Sequence, residues 1–177
     1  MDSELVKKAQ KGCRDSFGLL VSDIKNQAYR VAFCYLKNAE DSMDAVCDAM
    51  EKAWNGIKKL KQPEFFSTWF IRIVINQCKK KLMENRNTVF LEDCKDIQAC
   101  KTEFYIQPSG IEIKLDLESL LGNIKSSDRS ILYMRYYMDY SLEEISRIME
   151  IPLSTVKTRI YATLKKLRVH ITEGGIV

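Results

Sequence analysis

The chain has 177 residues, of which 46% are hydrophobic and 29% charged, and its net charge is +4. Those proportions exclude wholesale disorder and allow one domain or two small ones. With only 7 glycines and 3 prolines, the sequence argues against all-β sandwiches and barrels, which need frequent turns, and favours helices. No segment approaches the ~20 apolar residues that span a bilayer. The N-terminus has no apolar run behind its charges, so neither a secretory signal nor a membrane protein is expected. Cysteines stand at 13, 34, 47, 78, 94 and 100 with no C-x-x-C pair, and His170 is the sole histidine. The pattern suits free thiols in a reducing cytoplasm, with no metal site, cofactor or disulfide framework.

Apolar residues recur at helical spacing from about 5 to 82. Phe17, Leu20, Val21, Ile24, Ala28, Val31 and Tyr35 follow steps of three and four, which predicts one long amphipathic helix. A second helix is expected from about Ala39 to Leu60, with Ala45, Met50, Ala53, Trp54 and Ile57 apolar. Pro63 interrupts the pattern. A third helix begins near Phe65 and carries Trp69, Phe70, Ile73 and Val74.

Periodicity lapses between about 85 and 111, too long a stretch for a loop inside a compact domain. It reads as a flexible linker (86–111) between two small helical domains, 1–85 and 112–177, with a short helical turn around 91–100. Helical pattern resumes at Ile113, with Leu117, Leu120, Leu121 and Ile124, and again over 129–138. Ser141 followed three residues later by Glu144 is a capping box at a helix start. Leu142, Ile145, Ile148 and Met149 form that helix's apolar face. Ile151 and Pro152 make a turn, and Val156, Ile160, Leu164 and Leu167 mark a further helix. Two short helices joined by a tight turn form a helix-turn-helix.

Charge is segregated. Over 151–170 the charged residues are Lys157, Arg159, Lys165, Lys166 and Arg168, all basic. Thr155, Lys157, Thr158 and Arg159 occupy the first two turns, where a recognition helix meets base edges and phosphates. A basic C-terminal helix also suits its own dipole, but the whole pattern points to DNA. Residues 38–54 hold Glu40, Asp41, Asp44, Asp48 and Glu51 against Lys52 alone, so that helix is suited to a protein partner. The next helix is basic, with Arg72, Asn76, Lys79 and Lys80 on one face and Lys61 in the loop before it. Such a face can follow a single strand and pocket extruded bases. Among the aromatics, Trp69 and Phe70 read as core, while Phe65 and Phe66 at the loop edge suit either core or base contact. Tyr133, Tyr136, Tyr137 and Tyr140 read as a packing stripe.

These residues resemble a known family. DAVCDAMEKAW (44–54) resembles the polymerase-binding helix of bacterial RNA polymerase sigma factors. The run from Phe66 to Asn76 is similar to their promoter-melting helix, and IPLSTVKTRIYATLKKL (151–167) to their recognition helix. With these two modules alone, the chain resembles the extracytoplasmic-function (ECF) group of the sigma-70 family. The resemblance implies an all-α, non-enzymatic factor that binds core RNA polymerase through Asp44, Cys47 and Asp48, with Cys47 where glutamine is usual. It implies that Asn76 and the loop 61–67 read the opened single strand of the −10 element. Residues 154–159 would read the −35 duplex, with Ser154 in place of a frequent glycine. An anti-sigma factor, membrane-associated, is the implied inhibitor.

Two rival readings remain. An autonomous helix-turn-helix regulator explains the C-terminal half but leaves the acidic helix and the Trp/Asn phrase without purpose. A thiol enzyme or redox sensor would be built on Cys47 or on Cys94 and Cys100.

Overall fold

The computed structural model describes residues 3–89 and 124–173, with side chains over 3–84 and 124–168. Among the described residues every regular element is helical, and no helix is long and apolar enough to cross a membrane.

Helix α1 (Ser3–Gln10) buries Val6 and Ala9. Gly12 turns the chain at φ 97°, a left-handed conformation that glycine adopts without steric cost. Helix α2 (Arg14–Leu36) follows and buries Leu20, Val21, Ile24, Ala28, Val31, Ala32 and Tyr35, the stripe its periodicity predicts. Lys37 ends it in the left-handed region, its N–H bonded to the Phe33 carbonyl at 2.9 Å.

Asn38 caps helix α3 (Ala39–Gly56) by accepting the Asp41 N–H at 2.9 Å. Ala45, Ala49 and Ala53 line its buried face, and such small side chains let α2 and helix α4 (Phe66–Val89) approach closely. The expected helix to Leu60 instead stops at Gly56 and tightens into a 3₁₀ turn over Ile57–Lys59. A second 3₁₀ turn, Pro63–Phe65, leads into α4, with Pro63 at a first-turn position where a missing N–H costs nothing. Helix α4 continues to Val89, into the segment read as linker. The rest of that segment, the helical turn expected near 91–100 and the pattern at 113–121 lie outside the described residues.

Helix α5 (Ser126–Tyr136) precedes the helix-turn-helix, made by α6 (Leu142–Met149) and α7 (Leu153–Glu173). The capping box is present. Ser141 Oγ accepts the Glu144 N–H at 3.1 Å, and Glu144 Oε2 accepts the Ser141 N–H at 2.8 Å. Ile131, Met134, Ile145, Ile148, Met149, Val156 and Ile160 form the core of this half.

The two halves are in contact: α5 lies on α2, and α6 on α4. Ser141→Ala removes one side of the capping box and should lower stability by about 1 kcal/mol, read as an earlier denaturant midpoint.

Candidate polymerase and nucleic-acid interface

Because α3 buries Ala45, Val46, Ala49 and Ala53, its opposite side must carry Asp44, Cys47 and Asp48, and all three are exposed. Lys81 of α4 reaches this edge, with Nζ 3.1 Å from Asp44 Oδ2 and 3.7 Å from Asp41 Oδ1. Burial works against the Lys81 ammonium, but Asp44, Asp41 and Asp48 outweigh it and hold its pKa above the ordinary value. The Asp44 side chain nonetheless keeps 59% of its surface open to a partner.

On α4, Phe66, Phe70, Ile71, Val74, Ile75 and Cys78 face inward. That orientation leaves Arg72, Asn76 and Lys80 exposed and Lys79 half-buried. Lys80 pairs with Glu84 at 3.5 Å. Lys61 is exposed between the two 3₁₀ turns. Phe66 must be corrected: it is fully buried, in edge contact with Phe17 and stacked on Phe70, and has no surface to offer a base. Phe70 is core as expected. Trp69 is half-buried, its ring against Gly56, where a Cβ would stand 3.3 Å from the indole.

Two of the expected DNA-binding residues face the other half of the chain. Arg72 Nη2 donates to Glu150 Oε1 at the end of α6. The half-buried Phe65 ring lies under the Arg147 guanidinium, 5.1 Å from the ring centroid.

On α7, Val156, Ile160 and Thr163 point inward, leaving Ser154, Lys157 and Thr158 exposed and Thr155 half-buried. Arg159, expected to read bases, is half-buried. Its guanidinium turns back to α5, 3.6 Å from Asp128 Oδ1, and Nη1 donates to Ser127 Oγ at 3.4 Å. It braces the recognition helix. Tyr161, which sequence reasoning passed over, is 73% exposed. The clue was available: it stands four residues after Lys157 and one step off the apolar stripe.

The seam between the halves carries the residue hardest to foresee. Arg129 is only 6% exposed. Its Nε donates to the Cys34 carbonyl at 2.9 Å and its Nη2 to Ser126 Oγ at 3.3 Å. Burial pushes the Cys34 thiol up to about 11 and the Cys78 thiol up to about 12, so both stay protonated and inert near neutral pH. Cys47 is exposed. The exposed Cys13 thiol is held below its ordinary value by a hydrogen bond from Ser16 Oγ at 3.2 Å. Cys94 and Cys100 lie outside the described residues. Among the described residues, no cluster of His, Cys, Asp and Glu is arranged to hold a metal ion.

The family model of sigma-70 region 2 matches residues 20–88, and that of sigma-70 region 4 matches 120–169. The chain belongs to the sigma-70 family. The two matches span α2–α4 and α5–α7, the acidic and basic faces in the first and the helix-turn-helix in the second. Relatives matched over most of their length are RNA polymerase sigma factors, several of them ECF sigma factors. RNA polymerase sigma factor SigV of Bacillus subtilis is 29% identical over 164 residues, covering 88% of this chain and 91% of that one. The ECF sigma factor SigW of the same organism is 28% identical, covering 95% of both. The ECF sigma-E factor of Escherichia coli is 26% identical, covering 90% and 88%. Two solved structures share the fold. Sigma factor RpoE of Bartonella quintana, in complex with the anti-sigma factor NepR, matches with a TM-score of 0.76 at 16% identity, covering 88% of this chain and 96% of that one. CnrH, in complex with the cytosolic domain of CnrY, matches with a TM-score of 0.68 at 19% identity, covering 97% of both.

This ECF sigma factor therefore directs promoter-specific transcription by core RNA polymerase, as a member of a family of initiation factors and not of catalysts. Within it, Arg129→Met keeps bulk at the seam but removes the donors. The variant should lose about 1–3 kcal/mol, and amide exchange should quicken at the end of α2 and along α5.

Proposed function

We propose a division of labour along the sigma factor. Asp44 and Asp48, flanking Cys47 on α3, bind core polymerase. Lys61, Phe65, Arg72, Asn76, Lys79 and Lys80 capture the unpaired −10 strand. Ser154, Thr155, Lys157, Thr158 and Tyr161 meet the −35 duplex, with Arg159 bracing them from behind. The observation that carries this reading is that an acidic helix and a basic helix pack against each other in one module, each keeping exposed charged residues. Core polymerase and a DNA strand can then be held at once, without competing for the same charges.

The energetics follow from tethering. Each DNA contact is small, but two contacts on one polymerase raise the effective concentration of each at a correctly spaced promoter. Lysine and arginine offset the phosphate charge, and pocketed bases offset lost stacking. The factor makes and breaks no covalent bond; polymerase does. An anti-sigma factor is the fitting inhibitor, since both structural neighbours above are complexes and that of RpoE is with an anti-sigma factor. The domain limits 1–85, 86–111 and 112–177 belong to this proposal.

The contacts of Arg72 and Phe65 with α6 have a consequence for the order of events. Glu150 and Arg147 occupy them, so α6 must leave α4 before the −10 strand is held. An exposed ion pair contributes about 0–1 kcal/mol, which competing phosphates readily replace.

Replacing Asp44 and Asp48 together with alanine should weaken capture of core polymerase several-fold and leave binding to −35 duplex unchanged, as measured by gel filtration and fluorescence anisotropy. Asn76→Ala should leave the polymerase complex intact and reduce permanganate reactivity of −10 thymines roughly tenfold. Equal loss of polymerase binding in both variants would contradict the division.

A further inference from the structure

Helix α1 lies outside the residues matched by the region 2 model, which begin at 20. It packs on both 3₁₀ turns of the loop before α4. Its last residue, Gln10, is half-buried, and the side-chain amide donates to the Ile57 carbonyl at 3.0 Å and to the Leu60 carbonyl at 2.7 Å. An amide carries two N–H donors, so both are used. The Ile57 carbonyl also accepts the Leu60 N–H at 3.1 Å, which fills its second lone pair.

We propose that Gln10 is a positioning residue for promoter melting: it fixes the path of the chain from Ile57 to Leu60, and thereby where Lys61 and Phe65 meet the unpaired strand. This rests on the reading of the loop given above. Between the two 3₁₀ turns, Leu60 (ψ 105°) and Gln62 (φ −122°, ψ 98°) are extended. No α-helical ladder holds this stretch. Its shape depends on what grips it from outside. Trp69 rests on the backbone at Gly56 on one flank, and Gln10 draws in two carbonyls over 47 and 50 residues of sequence separation. The second of those carbonyls belongs to the residue immediately before Lys61.

A different side chain at this position fails in a foreseeable way. Leucine keeps the bulk and leaves both carbonyls without their side-chain donor. Lysine restores a donor on a longer stem. The α1 core contacts, Val6 and Ala9, are untouched by either change.

The test uses the full chain with core polymerase on a promoter that the wild-type protein opens. Five forms are compared: wild type, Gln10→Leu, Gln10→Lys, the loop variant Lys61→Ala with Phe65→Ala, and the combination of that loop variant with Gln10→Leu. Polymerase capture and permanganate reactivity of −10 thymines are read for each, and thermal denaturation reports folding. The expected result for Gln10→Leu is about a tenfold loss of thymine reactivity with polymerase capture unchanged. The combined variant should be no worse than the loop variant, because coupled groups are non-additive. Gln10→Lys should restore part of the loss. Normal melting by Gln10→Leu while the loop variant fails would overturn the role of Gln10 and leave the loop reading standing. Parallel loss of polymerase capture and melting, or losses that add in the combination, would reduce Gln10 to general support of the fold and overturn the proposal. Normal melting by the loop variant would bring down the loop reading itself, and this proposal with it.

Discussion

Phe66, Phe70, Ile71, Val74, Ile75 and Cys78 are sealed where α4 meets α2 and α3. Truncating one large core side chain of this kind costs roughly 2–5 kcal/mol, so α4 cannot rotate about its axis without losing most of its stability. Its outward residues are fixed as a result. Arg72, Asn76 and Lys80 project from the side opposite the core, and the same packing brings Lys81 round to the acidic edge of α3. The polarity of the module thus follows from its apolar packing. Acid and base sit on adjacent helices whose buried sides are held together.

The seam between the halves is built differently. Beside apolar side chains that belong to one cluster running through both halves, its buried polar element is Arg129 on the Cys34 carbonyl, and its outer contacts include Arg72 with Glu150 and Arg147 with Phe65. A buried donor left without its acceptor costs about 1–3 kcal/mol, whereas the exposed ion pair and cation–π contact contribute about 1 kcal/mol or less each. The contacts that cover residues proposed for the −10 strand are therefore the ones most easily exchanged. Phosphate oxygens can take the place of Glu150 at Arg72. A base can take the place of Arg147 over Phe65.

Helices were legible wherever an apolar stripe met a clear punctuation signal. The α2 stripe, the Ser141–Glu144 box and the turn at Ile151–Pro152 all appear where the residues predict them. Phe66 was ambiguous because its i,i+4 relation to Phe70 describes a core pair and a surface pair equally well. Only the third dimension, with Phe17 arriving from α2, decides it. Arg159 is basic and near the start of the recognition helix, and its internal contact was not legible from that alone. It sits three residues from Val156 and one from Ile160, close to the apolar stripe, and that geometry turns it toward Asp128. Arg129 and Gln10 had no local signature at all. Each acts on backbone carbonyls far along the chain, 95 residues away for Arg129, and periodicity carries no trace of such a bond.

The sigma factor works by bringing core polymerase and promoter DNA together. Transcription from a library of promoter fragments by core bacterial RNA polymerase, with and without the protein, tests it most directly. Transcripts should appear only when protein and core are both present, starting from fragments that share two elements at fixed spacing. Absence of transcripts and of a polymerase complex, together with tight sequence-specific binding of duplex DNA by the protein alone, would contradict it and favour an autonomous regulator.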